Sequence, residues 1–178
     1  MPAKVIPREF TGDAELLRTR SASIFDALMN TGVTHVIGVP DNATGILYEF
    51  FEAEPKVQVV LVCREGEAWA IASGLWVGGA VPVVIIQNTG FFESGDALRG
   101  TAVEMAIPIL TLMDYRGYHT LQNDDPQTVD TAASLFEPTL KAWLLPYHFL
   151  TEGNEAEICS KALRQAEHEG RPVVVLMA

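Results

Sequence analysis

The stretch VQVVLVCREGEAWAIASGLWVGGAVPVVIIQNTG, Val57 to Gly90, decides the fold. Both of its ends hold apolar, β-branched runs of strand length: VQVVLVC (Val57 to Cys63) and PVVIIQ (Pro82 to Gln87). Between them, Glu65 to Val77 sets apolar residues at Ala68, Ile71, Ala72, Leu75 and Trp76, the spacing of one helix face. Near-continuous Val/Ile/Leu strands separated by a helix are the mark of a parallel sheet covered on both faces.

The same alternation runs outward from this unit. Upstream, an amphipathic stretch from Asp13 to Asn30 reads as a helix stopped by Gly32. HVIGVP (His35 to Pro40) reads as a buried strand, and a helical segment begins near Asp41. Downstream, a helix is expected over Ser94 to Met105, a strand at PILTLMD (Pro108 to Asp114) and a polar loop over Tyr115 to Gln127. A helix from Thr128 to Phe136 and a short strand at KAWLLP (Lys141 to Pro146) follow. Asn154 is expected to cap a last helix with Glu155 and Glu157 in its first turn; Gly170 stops it and PVVVLMA closes the chain as a strand. The expectation is one three-layer α/β/α domain over residues 1–178, with about six mostly parallel strands.

Composition narrows the function. With 178 residues and 48% hydrophobic content, the chain has enough apolar material for one buried core, which excludes disorder. Twelve Lys+Arg against 23 Asp+Glu give a net charge of −11, the wrong sign for gripping a phosphate backbone, so no nucleic-acid partner is expected. The two cysteines, Cys63 and Cys159, have neither a disulfide framework nor metal-ligand spacing. Met1 to Phe10 lacks the apolar core of a signal peptide, and the longest apolar run, Ala80 to Ile86, is far too short to cross a membrane. A cytoplasmic protein with no membrane partner is expected.

In a parallel sheet, ligands collect at the carboxyl ends of the strands. That directs attention to Val39 to Asn42, Cys63 to Glu67, Gln87 to Phe92 and Asp114 to His119. Each has an ordinary reading as well as a functional one. Glu65 suits the first turn of any helix. Asn88 and Gly90 suit a tight turn. His119 suits a solvated loop, and Arg64, Arg99 and Arg116 suit either a surface or an anionic group.

GVPDNA, CREGEAWAIASG, PVVIIQNTG and the YRG after the fourth strand occur in the order and spacing of the pyrimidine-binding domain of thiamine-diphosphate enzymes. The chain resembles that domain from roughly Thr11 to Ala178, and most resembles the sulfopyruvate and phosphonopyruvate decarboxylases. The resemblance implies that Glu65 matches the glutamate that hydrogen-bonds the aminopyrimidine ring nitrogen. Proton sharing there favours the imino tautomer, which takes the thiazolium C2 proton, and the cofactor then serves as electron sink when CO2 leaves a 2-oxo acid. Pro40 matches the proline lining the pyrimidine pocket, and Asn88 flanks it. Asn42, Gln87 and Arg116 are expected to contact the substrate, and His119 to serve as a polar, substrate-facing catalytic group. Glu67 is expected to remain solvated.

Three departures bear on the substrate. Asn42 replaces a serine or aspartate, GFFESG (Gly90 to Gly95) replaces a run of small residues so that Phe91 and Phe92 reshape the pocket, and YHTLQNDDPQ follows YRG. The GDG motif that holds the diphosphate through Mg2+ is missing; Gly95-Asp96-Ala97 followed by Asn123 lacks the last glycine. The chain is therefore expected to supply no metal ligand and to work as the pyrimidine-binding subunit of a hetero-oligomer. A separate diphosphate-binding chain would hold Mg2+, and this chain would also self-associate through the Glu65 to Val77 helix with Trp69 and Trp76. The implied activity is decarboxylation of sulfopyruvate or phosphonopyruvate. The alternatives are a carboligase, another 2-oxo acid decarboxylase, or a non-catalytic flavodoxin-like module.

Overall fold

The computed structural model describes residues 14–178; Met1 to Phe10 and the expected helix-opening Asp13 lie outside the described residues. In chain order the main elements are α1 (Ala14–Met29), β1 (His35–Gly38), α2 (Gly45–Glu52), β2 (Gln58–Leu61), α3 (Glu65–Val77) and β3 (Pro82–Gln87). They continue with α4 (Asn88–Glu93), α5 (Gly95–Leu98), β4 (Leu110–Asp114), α6 (Thr131–Ser134), α7 (Phe136–Ala142), β5 (Tyr147–Leu150), α8 (Glu155–Glu169) and β6 (Val173–Met177). The strands form one six-stranded sheet in the order β2-β1-β3-β4-β6-β5, and every neighbouring pair is parallel.

Two-residue alternation along each strand builds two cores, one on each face. Val36, Val83, Ile85, Leu110, Leu112, Val173 and Val175 pack against Leu28 of α1, Phe51 of α2 and Ala162 of α8. Ile37, Val84, Ile86, Met113, Val174 and Leu176 meet Trp69 of α3, Leu98 of α5 and Phe136 and Leu140 of α7. In β3, β4 and β6, covered on both faces, burial runs almost unbroken along the strand, and each fully buried aliphatic side chain contributes roughly 1.5–3 kcal/mol. The expected three-layer α/β/α architecture is observed.

Helix α3 and strand β3 span the expected residues. Elsewhere the structure corrects the sequence reading. Strand β2 is shorter than Val57 to Cys63 and lies at the sheet edge, which leaves Leu61 53% exposed. Asn88 to Gly90 is not a tight turn: Gln87 is the extended N-cap of α4, so the helical region expected from Ser94 starts six residues earlier, at Asn88. It then continues through α5 into a π-helical turn, Arg99–Val103. The polar segment after β4 carries two 3-10 turns, Tyr118–Gln122 and Pro126–Thr128.

KAWLLP is not a strand. Helix α7 runs through Ala142, Leu144 is exposed in a left-handed conformation (φ 56°), and pairing with β6 starts only after Pro146, which has no amide hydrogen to donate. Asn154 precedes α8, but its side chain accepts from Thr151 N at 2.8 Å instead of capping the helix. Trp69, expected near an interface, is wholly inside the domain and donates to Ser94 Oγ at 3.1 Å. No helix among the described residues is long and apolar enough to cross a membrane.

Candidate functional site

The strand order reverses at β1: the chain leaves it for β2 on one side and returns as β3 on the other. A crevice at the carboxyl ends of such strands is the usual ligand position. Gly38 ends β1 because nothing larger fits. Its backbone lies against the Ile85 carbonyl of β3, the Tyr48 hydroxyl donates to that same oxygen at 2.7 Å, and a Cβ on Gly38 would come 2.5 Å from the Tyr48 hydroxyl. Burial, and secondarily the Asp41 charge, raise the pKa of Tyr48 and keep its hydroxyl protonated as a donor.

Asp41 organises the next turn. Its Oδ1 accepts from Ala43 N, Thr44 N and Thr44 Oγ1, each at 2.8 Å, while its own N–H donates to Thr44 Oγ1 at 3.1 Å. Its Oδ2 accepts from Gln87 Nε2 at 3.3 Å, and Gln87 Oε1 accepts from Thr89 Oγ1 at 2.7 Å. Gln87 thus ties the β1–α2 turn to the start of α4 across the switch point. The sequence reading picked out the neighbours Pro40 and Asn42, both exposed, and missed Asp41. The signal was present: an Asp three residues before a Thr is a side-chain-capped turn.

A cavity of about 390 Å³ opens beside this turn, lined by Asn42, Gln87, Asp114, Arg116, Tyr118 and His119 among others. It brings together four predicted residues, Asn42, Gln87, Arg116 and His119, and does not include Pro40, Glu65 or Asn88 in its lining. Arg116 is largely exposed, with its Nε 3.7 Å from Asp130 Oδ2. Gly117 turns the backbone with φ 79°, and a Cβ there would come within 2.7 Å of Asp130. Asp130 in turn caps α6, accepting from Ala132 N at 2.9 Å. His119 lies exposed on the 3-10 turn. The buried Asp114, the last residue of β4, opens one of the four strand-end segments noted above but was given no role of its own there.

Asn88 supports the cavity from behind. It is fully buried, and its Nδ2 donates to Arg116 O at 3.0 Å and to Ala132 O at 3.2 Å. The start of α4 is thereby fastened to the loop that carries Arg116 and His119. Tyr115 and Tyr118 give the cavity an aromatic wall. Tyr115 donates to Ala133 O at 3.1 Å; Tyr147, outside the lining, donates to Glu137 Oε2 at 2.6 Å. Burial first, and Glu137 next, push the Tyr147 hydroxyl up to about 12. Phe91 and Phe92, expected to reshape the pocket, do not line it. Phe91 is buried with ring centroids 5.4 Å from Phe136 and 5.6 Å from Trp143, because α4 turns that face inward.

Glu65 occupies a second station on the same edge. It is the first residue of α3, half-buried, and its side chain lies directly against the bare backbone of Gly90. Among the described residues its carboxylate accepts no hydrogen bond. Its surroundings are tied down instead. Arg64 Nε and Nη2 both donate to Glu93 Oε1, at 2.8 and 2.6 Å, and Gly66 N donates to Glu93 Oε2 at 3.1 Å. Those bonds hold the Glu93 carboxyl below the usual carboxylate range, the Arg64 bond foremost. Glu67 is exposed and accepts from Cys63 N at 3.3 Å. A half-buried carboxylate with free lone pairs, placed at a strand-to-helix junction, is suited to accept a hydrogen from a ring nitrogen or to share a proton with it. Among the described residues, no three His, Cys, Asp or Glu side chains converge in a way that could hold a metal ion.

Comparison with known proteins bears on the family and the fold. Phosphonopyruvate decarboxylase of Streptomyces viridochromogenes is 32% identical over 107 residues, 60% of this chain and 27% of that protein. Sulfopyruvate decarboxylase subunit alpha of Methanococcus maripaludis is 27% identical over 97 residues, 54% of this chain and 58% of that one. The chain therefore spans between about a quarter and three fifths of these relatives' lengths. In fold it is similar to a 2-oxoglutarate:ferredoxin oxidoreductase from Magnetococcus marinus, with a TM-score of 0.68 at 16% identity, covering 88% of this chain and 28% of that one. Residues 18–134, which contain β1 to β4, Glu65, Gly90 and the cavity loop, match the thiamine pyrophosphate enzyme N-terminal TPP binding domain, and the chain belongs to that family.

Proposed function

We propose that this chain is the pyrimidine-binding half of a thiamine-diphosphate-dependent decarboxylase acting on sulfopyruvate or phosphonopyruvate. The diphosphate half, with its Mg2+, is carried by a separate chain. The observation that carries the reading is Glu65: a half-buried carboxylate at the start of α3, seated against Gly90, with its lone pairs free of other described groups. That site fits an aminopyrimidine edge, which offers a ring nitrogen to a carboxyl group.

When bound, the cofactor supplies an electron sink for the pair released as CO2 leaves. This chain's residues do the rest. Glu65 holds or shares the proton at the ring nitrogen. Pro40, exposed just after β1, is assigned to the wall of the pyrimidine pocket. Asn42 and Gln87 offer hydrogen-bond donors to the substrate, and Arg116 offers guanidinium N–H groups to its sulfonate or phosphonate. Its 3.7 Å separation from Asp130 leaves donors to spare. His119, exposed at the cavity rim, serves as a proton-carrying group toward the substrate. Asn88 acts indirectly, by fixing the loop of Arg116 and His119.

The outer face of α3 supports assembly. Ala70, Ile71, Gly74 and Val77 share one exposed stripe, with Trp76 40% exposed beside it, and small residues there let another backbone approach closely. We assign this stripe to contact with a second chain, in a homo-oligomer completed by the diphosphate-binding partner.

The test is to purify the chain alone and together with a co-expressed candidate subunit carrying GDG and a downstream asparagine. Thiamine diphosphate and Mg2+ binding is read by calorimetry, and CO2 release from sulfopyruvate and phosphonopyruvate by a coupled assay. Turnover is expected only from the pair. Tight cofactor binding with turnover by the single chain overturns the split site. Release of CO2 from a different 2-oxo acid, or a carboligation product, overturns the substrate assignment.

A further inference from the structure

We propose that Gly90 and Glu93, both on α4, are positioning residues that set where the Glu65 carboxylate sits; the inference rests on the reading of Glu65 given above. The residues on either side of Glu65 are tied to one carboxylate: Arg64 by two hydrogen bonds to Glu93 Oε1 and Gly66 by its N–H to Glu93 Oε2. The N-cap and second residue of α3 are thus referenced to α4 rather than to their own strand, β2, which lies at the sheet edge. Gly90, one helical turn before Glu93, supplies the other contact. A Cβ built on it would come 2.5 Å from both Cδ and Oε1 of Glu65, well inside van der Waals contact. Any side chain at residue 90 therefore displaces the Glu65 carboxyl group.

Glu93 belongs to the GFFESG stretch that separates this chain from the small-residue turn of the enzymes it resembles. Its carboxylate is exposed enough that an ion pair with Arg64 adds little stability, since exposed pairs contribute little. Its three accepted hydrogen bonds are spent on geometry. Displacing a reacting group by about 1 Å costs roughly 10²-fold in rate.

The test uses the full chain labelled with 13C at the glutamate carboxyl carbons, with Glu65→Gln identifying the Glu65 resonance at one fixed pH. Gly90→Ala and Glu93→Gln are expected each to displace that resonance. Asp96→Asn, which removes only the neighbouring surface pair with Arg99, leaves it in place. In the decarboxylase assembled with its partner, both variants are expected to lower kcat by roughly 10–10²-fold. The thiamine diphosphate concentration for half-saturation should stay within a few-fold, a split that general destabilisation does not produce. An unmoved Glu65 resonance in both variants overturns the inference, as does wild-type kcat in both beside a crippled Glu65→Gln. Should Gly90→Ala fail to fold, Glu93→Gln decides alone, because it alters only an exposed side chain. Displaced resonances with full activity in Glu65→Gln leave the positioning intact and overturn the reading of Glu65 instead.

Discussion

Glu65→Gln separates chemistry from stability, because the structure assigns Glu65 almost no structural work. Its carboxylate accepts no hydrogen bond among the described residues, and glutamine fills the same space against Gly90. What folding loses is one negative charge in the first turn of α3, where Glu67 remains. Such a charge contributes about 0.3–1 kcal/mol at a helix N-terminus. For a chain of this size each kcal/mol moves Tm by about 2–4 °C, so the variant should melt about 1–4 °C lower. Catalysis loses a proton-sharing group, and losses of that kind run to about 10²–10⁴-fold in rate. At about 1.36 kcal/mol per tenfold, this is about 3–5 kcal/mol of barrier, several times the folding term. The assay is steady-state CO2 release by the assembled pair at saturating cofactor, with melting curves on the same samples. Glu67→Gln is the control: its amide oxygen still accepts from Cys63 N, so turnover should stay within a few-fold. Equal kcat in wild type and Glu65→Gln would refute the proton-sharing role. A large fall in Tm with unchanged kcat would make Glu65 a structural acid.

Gly38→Ala should cost about 3 kcal/mol, the upper end of overpacking effects, because its Cβ meets the Ile85 carbonyl and the Tyr48 hydroxyl; urea unfolding with a midpoint near wild type would contradict this. Phe91→Ala should cost about 3–5 kcal/mol and Phe92→Ala, 38% exposed, clearly less. Equal midpoints for the two would show that the aromatic cluster beneath α4 is not packed as described. For the thiols, burial and secondarily Glu155 push Cys159 up to about 12, while Cys63 is exposed. A thiol reagent at pH 8 should therefore titrate one cysteine in the native chain and both in denaturant, and two fast native thiols would contradict the burial of α8.

Much of the architecture was legible because burial on both faces of a parallel sheet leaves an unambiguous trace. PVVIIQ and the apolar spacing of Glu65 to Val77 identified β3 and α3 to the residue. The misreadings have physical causes. VQVVLVC looks as buried as PVVIIQ, yet β2 is an edge strand, and hydrophobicity does not reveal which strand lies outermost. Asn88 to Gly90 carries turn residues, but with Asn88 bonded to Arg116 and Ala132 and Gly90 facing Glu65, tertiary contacts hold the segment as helix. KAWLLP has the composition of a strand, and its proline delays pairing until Tyr147.

Motifs at strand ends pointed to the candidate site, since strand-end positions can be counted along the chain and share one edge of a parallel sheet. By itself the sequence thus determined the α/β/α class and nominated one sheet edge, with Glu65, Gln87 and Arg116 on it, as the candidate site. Only the tertiary structure decided which residues meet. It placed Asn42, Gln87, Arg116 and His119 around one cavity, turned Phe91 away from it, and set Glu65 against Gly90 and the Arg64–Glu93 pair. The reason is that local preferences act over a few residues, whereas these contacts join positions up to 77 residues apart and exist only once helices and strands have packed at a fixed register.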